Sequence, residues 1–147
     1  MKQNDLSLLK SLQKELPSGE FFLDDETRKA HAGDKWTATH LPDAVALPQS
    51  APSVSKILRF ASQHCIPVTP RGAGCGYAGG CTPIQGGIVI SMAAMRRIKQ
   101  IDKGDFVAVV QPGVITEKLQ KAVEKRGLFY PPDPASRGEC FIGGNIA

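Results

Sequence analysis

The sequence predicts an α+β domain, and three observations predict it. Short apolar runs alternate with helix-period stripes along the whole chain, one strand–helix–strand unit ends in a long glycine-rich loop, and no repeat or low-complexity tract interrupts the pattern. At 147 residues the chain is long enough for one domain with its own core and short for two.

Residues 5–16 carry Leu6, Leu9, Leu12 and Leu16, with Leu8 alongside, a stripe that Pro17-Ser18-Gly19 ends. This helix is expected to pack onto the domain from outside, as part of an N-terminal extension over residues 1–40 that precedes the domain proper at 41–147. Asp24, Asp25 and Glu26, ahead of Thr27, Arg28 and Lys29, suit the first turn of a short helix, where acids meet the positive end of the dipole.

Ala44 to Leu47, closed by Pro48, reads as a strand. Ser53 is the expected cap of a helix in which Val54, Ile57, Leu58 and Ala61 share one face. Ile66 to Thr69 is the next strand, Ile88 to Ser91 the one after, and Met92 and Met95 read as core fillers. Phe106 to Val110 is a continuous apolar strand that Pro112-Gly113 ends. Thr116 then opens a helix with Leu119, Ala122 and Val123 inward, Lys121, Glu124 and Lys125 outward, and Gly127 as its C-cap. The four apolar runs are expected to form one small mixed sheet carrying the helices at 53–64 and 116–126.

Pro67 to Gly87 holds seven glycines and three prolines in 21 residues. Such a segment cannot be core, and its backbone must come close to a partner or adopt positive φ repeatedly. A phosphate is the simplest partner: consecutive N–H groups in a glycine turn make an anion-binding concavity, and Arg71 adds a planar, permanently charged donor. Gly74-Cys75-Gly76-Tyr77-Ala78-Gly79 satisfies G-x-G-x-x-G, yet Pro83 and Gly86-Gly87 prevent the helix that a dinucleotide fingerprint requires. A Walker A loop is excluded because no Gly-Lys-Ser/Thr occurs. Loops of this length inside compact domains are uncommon unless functional. Ile142-Gly143-Gly144-Asn145-Ile146-Ala147, a glycine pair followed by an amide side chain, indicates a second close backbone approach to a ligand.

The net charge of +4 is spread along the chain, and its one cluster, at 96, 97, 99 and 103, reads as a solvated face or helix end rather than a nucleic-acid surface. No segment reaches the roughly 18 apolar residues of a membrane span, and the N-terminus lacks an apolar signal core. The expected location is therefore cytoplasmic, at most peripheral to the inner face of the membrane. Cys65, Cys75, Cys81 and Cys140 share no C-x-x-C spacing, so reduced thiols are expected rather than disulfides or a metal site. His31, His40 and His64 are candidate bases by type but read as ordinary surface or helix-end histidines; no catalytic residue is named.

Three stretches taken together, V-T-P-R-G-A-G-C-G-Y-A-G-G, Q-P-G-V and Y-P-P-D-P-A-S-R followed by I-G-G-N-I-A, closely resemble the N-terminal part of the FAD-linked oxidases of the vanillyl-alcohol oxidase and p-cresol methylhydroxylase superfamily. Within it the nearest likeness is to glycolate oxidase D subunits and bacterial D-lactate dehydrogenases. The resemblance implies the first subdomain of a PCMH-type FAD-binding domain, ending before the rest of that domain and before a substrate domain. It places Pro70, Arg71, Gly72, Ala73, Gly74, Cys75 and Gly76 at the FAD pyrophosphate, with Gly79 and Gly80 continuing the turn. Pro132, Asp133, Ser136, Gly143, Gly144, Asn145 and Ile146 become candidates to line the flavin, Asp133 having the alternative of capping local N–H groups. Some relatives attach FAD through a histidine where Cys75 stands here, and the implied FAD is noncovalent. The implied reaction is oxidation of a 2-hydroxy acid by hydride transfer to flavin, with electrons leaving to a partner subunit or a quinone. Two other readings remain open: a stand-alone FAD- or nucleotide-binding module without turnover, and a binder of some other phosphate ligand.

Overall fold

The leucines of the first helix lie at the centre of the larger of two cores. The computed structural model describes residues 3–35 and 38–147. Helix α1 (Gln3–Glu15) buries Leu9 and Leu12, and Leu16 just beyond it, in one cluster with Phe21, Ala44, Ala46, Ile57, Ala61, Ile88 and Ile90. The helix expected to pack from outside therefore supplies core. Its stripe shares that cluster with the apolar face of the helix over 51–63, which supplies Ile57 and Ala61.

Strands β1 (Phe21–Phe22), β2 (Ala44–Ala46), β3 (Val68–Arg71) and β4 (Ile88–Ser91) form a mixed sheet in the order β1-β2-β4-β3, with β1 antiparallel and the rest parallel. A short helix, α2 (Asp25–Ala30), lies between β1 and β2 in sequence and is capped by the Asp24 carboxylate, which accepts from Thr27 N at 2.8 Å. β2 and β4 are buried on both faces, Val45 opposite Val89 on the side away from the leucines, as central parallel strands must be. β3 is one of the two edge strands, where Pro70 lacks an N–H without breaking an interior ladder.

Helix α3 (Ala51–Gln63) differs at both ends from its sequence reading. Its cap is Ser50, whose Oγ accepts from Ser53 N at 3.3 Å, and Ser53 is buried one turn inside. Pro52 explains the shift: its fixed φ suits the first helical turn, so the helix begins ahead of it. Ser50→Ala should lower stability by about 1 kcal/mol in urea unfolding; a smaller effect than that of Ser53→Ala would show that the cap is misassigned. At the other end Cys65 adopts φ +52° and Ile66 N bonds back to Ala61 O at 2.9 Å. That closure consumes Ile66, so β3 starts at Val68 and carries Arg71 on its last residue.

After a 3₁₀ turn over Met92–Ala94, β5 (Ile98–Asp102) and β6 (Val107–Val110) make an antiparallel hairpin separate from the main sheet. The apolar run at 106–110 thus joins no common sheet. Asp102 Oδ1 accepts from Gly104 N and Asp105 N at 2.8 and 3.1 Å, closing a local turn, and Phe106 sits outside the strand at φ +56°. The basic cluster is split: Lys99 lies exposed on β5, a strand the sequence reading missed.

Helix α4 (Thr116–Glu124) packs Leu119 and Val123 over the hairpin, with Gly127 in the left-handed conformation beyond its end. Together with Val114, Ile142 and flanking Ile98, Ile101, Ala108 and Val110 this makes a second, smaller core. The last element is α5 (Ile142–Ile146), a stretch for which the sequence pattern predicts a close backbone approach but no helix. The α+β class holds, with a mixed sheet and flanking helices.

Candidate functional site

The cleft of interest, of about 690 Å³, lies where the glycine loop leaving β3 faces the turn that enters α5. Arg71 starts one wall, and Gly72 to Gly76 continue it with no regular structure. The amides of Ala73, Gly74, Cys75 and Gly76 hydrogen-bond to no acceptor among the described residues. Four consecutive N–H groups without such an acceptor, lining a cleft, are the donor set that an anion requires.

The opposite wall is held by a dense backbone network. Gly143 N donates to Pro112 O at 2.9 Å, Ile142 N to Val114 O at 2.8 Å, and Thr116 N to Cys140 O at 3.1 Å. Asn145 is oriented by its Nδ2–H, which donates to the fully buried Thr116 hydroxyl. The two glycine runs meet here: a Cβ on Gly72 would touch Gly144 Cα at 3.8 Å.

Pro70, Arg71, Gly72, Ala73, Gly74, Cys75, Gly76, Gly80, Ser136, Gly143, Gly144 and Asn145 all line this cleft. Four other sequence-derived candidates do not. Gly79 lies behind the wall, its N–H donated to Asp34 Oδ2 at 2.9 Å. Pro132 offers its carbonyl to Gln120 Nε2 at 2.9 Å, and Asp133 pairs with Arg137 Nη1 at 2.6 Å, beside a groove on α4. Ile146 is three-quarters exposed and faces an apolar pocket of the second core. Asp34, Met92, Pro112, Cys140 and Phe141 also line the cleft, although none is a sequence-derived candidate for the cofactor and Met92 reads as a core filler. Pro112 alone left a signal, in the Q-P-G-V stretch.

Arg71 does not point freely at the cleft. Its Nη1 donates to Gly33 O and, at 3.2 Å, to Cys81 Sγ, and the guanidinium lies across Gly74, where a Cβ would come within 2.3 Å of Nη2. It therefore fixes the loop as well as adding positive charge to it. Cys75 lies 3.9 Å from Glu139 Oε2, which also pairs with Lys35 Nζ at 3.6 Å. Burial and then the Glu139 carboxylate push the Cys75 thiol above its ordinary range, so at neutral pH it is protonated and a weak nucleophile. None of the four cysteines is disulfide-bonded.

No histidine lines the cleft. His40 is exposed, His64 ends α3 against the Phe60 ring, and His31 ends α2 with Nδ1–H donating to Thr27 O at 2.9 Å. Burial holds the His31 imidazole below its ordinary value of 6.5; the Thr27 bond opposes this and Arg71 adds to it. The fold thus favours neutral His31, a contribution complete above the unfolded value and lost as pH falls through the folded one. The melting temperature should drop further between pH 7 and pH 5 in the wild type than in His31→Gln; equal drops would clear His31 of any role in acid sensitivity.

A family described as FAD binding domain matches residues 42–147, about the last seven-tenths of the sequence. The chain belongs to this family. As an FAD binding domain it is 47% identical over 106 residues to the glycolate oxidase subunit GlcD of Bacillus subtilis (strain 168), a match that covers 72% of this chain and 23% of that one. It is 35% identical to the D-2-hydroxyglutarate dehydrogenase of Stutzerimonas stutzeri (strain A1501) over 97% of this chain and 31% of the relative. Among solved structures, alkyldihydroxyacetonephosphate synthase superposes with a TM-score of 0.86 at 22% identity, over 97% of this chain and 31% of that one, which shows the shared fold. This FAD binding domain thus spans about a quarter to a third of the length of these relatives. None of its described helices is long and apolar enough to cross a membrane.

Proposed function

We propose that this chain is the FAD-binding part of a flavin-dependent oxidoreductase that oxidises a small 2-hydroxy acid of the glycolate or D-lactate type. The observation that carries the reading is the run of unpaired amides from Ala73 to Gly76, set opposite Gly143, Gly144 and Asn145. A pyrophosphate fits that run, with the Arg71 charge beside it. The mutual approach of Gly72 and Gly144 supports a ligand that passes close to both backbones. Asn145, held by Thr116, presents its remaining amide groups along that path.

Bound FAD would supply the hydride acceptor for the 2-hydroxy acid. The residues of this chain bind and orient it, and the acid-recognising groups and general base belong to the portion that longer relatives possess. Electrons would then leave to a partner subunit or a quinone. Cys75, protonated and beside a carboxylate, supports noncovalent attachment.

The test is a titration of the chain with FAD, followed by flavin absorbance and by the fluorescence of Trp36, which lies outside the described residues. Saturable binding is expected, and acid denaturation should release all the flavin into solution. Flavin retained on the denatured chain would overturn noncovalent binding. Binding of FAD by a longer form that oxidises no hydroxy acid would leave the binding-module reading instead.

A further inference from the structure

The segment 31–35, which precedes the matched domain, runs beside the glycine loop and bonds to it at three points. Gly33 O accepts from Arg71 Nη1 at the loop's start. Lys35 N donates to Gly76 O at 3.1 Å, and Asp34 Oδ2 accepts from Gly79 N at 2.9 Å. Gly79 itself has φ +73°, and its carbonyl accepts from Thr82 N at 3.0 Å. Both ends of the Gly76–Gly79 turn are thereby clamped, while the amides from Ala73 to Gly76 have no acceptor among the described residues. A glycine loop without such a clamp samples many conformations, and ordering it on binding would subtract from affinity.

We infer that Asp34 is a positioning residue of the cofactor site: it does not bind phosphate but holds the Gly79 amide, and so preorganises the amides of residues 73–76 for an anion. Two consequences follow from the geometry. Gly79, although part of the glycine motif, gives its N–H to Asp34 rather than to the ligand. And the phosphate-binding competence of the domain depends on a residue outside the stretch that the family match covers, 42–147. The inference rests on the FAD reading given above for its ligand, but the clamp can be read without any ligand.

The experiment compares wild type, Asp34→Ala, Asp34→Asn and Asp34→Ser in the full chain. Amide exchange at Gly79, measured by NMR without FAD, should accelerate tenfold or more in Asp34→Ala and stay near wild type in Asp34→Asn, which keeps an acceptor oxygen at the same reach. FAD affinity should fall tenfold or more in Asp34→Ala and largely return in Asp34→Asn, the unliganded melting temperatures remaining within a few degrees. Asp34→Ser, too short to reach Gly79, replaces the alanine variant should that one not fold. Unchanged exchange at Gly79, unchanged FAD affinity despite faster exchange, or failure of Asp34→Asn to restore binding would each overturn the inference. If folded wild type binds no FAD, the proposed function falls, and Gly79 exchange alone decides whether Asp34 orders the loop.

Discussion

Gly74→Val is expected to lower FAD affinity by at least tenfold, about 1.4 kcal/mol, while the chain stays folded. Gly74 has φ +72°, a region that a β-branched residue occupies only with strain. Its new Cβ would also lie 2.3 Å from Arg71 Nη2 and 2.6 Å from Cζ. A free arginine would swing aside at little cost, but this one is tied to Gly33 O and Cys81 Sγ. Either those bonds break or the loop moves, and each displaces the amides on both sides of Gly74. Because the clash is with one named side chain, Arg71→Ala should cost less affinity in the Gly74→Val background than in wild type. Full additivity of the two changes would show that the loop does not depend on this contact. Gly138→Ala is the control, since a Cβ there meets nothing within 4 Å.

Leu12→Ala is expected to destabilise the chain by about 3 kcal/mol, within the range for a fully buried leucine, and to lower the melting temperature on the order of 10 °C. Leu12 has no exposed surface, and it lies in the cluster that contains Ile57 and Ile88. For a domain of ordinary stability, roughly 5–15 kcal/mol, such a loss is a large fraction of the whole. Lys10→Ala, on the exposed side of the same helix, should change stability by less than about 0.5 kcal/mol. A Leu12→Ala chain melting within a degree of wild type would mean that α1 is an appendage after all.

The strands with uninterrupted apolar runs, β2 and β4, were legible because burial on both faces leaves no polar position to obscure them. The glycine loop was legible because no core explains its composition, and the structure sets it at the mouth of a cleft with the second glycine run. β5 was not: Lys99 and Gln100 face outward on a two-stranded hairpin, so Ile98-Lys99-Gln100-Ile101-Asp102 shows neither a continuous run nor a clean alternation. Asp34 was invisible for another reason. It acts on an amide 45 residues away, and an aspartate followed by a lysine in a polar segment carries no mark of that contact. Asp133 and Ile146 were singled out through neighbours in quoted motifs, and the backbone turns them away, one towards Arg137 and the other onto the second core.

The cleft is bounded by elements of two separate cores, one built on the four-stranded sheet and one on the hairpin and α4. A ligand seated between them binds only when both halves are folded. It would therefore act as mortar, tying the two cores to each other through its own contacts. At a hundredfold excess over its dissociation constant it would add about 2.7 kcal/mol to the stability of the folded form. Cofactor supply would then bear on how long the newly made chain survives as well as on whether it works, because a ligand that binds only the folded form raises its stability.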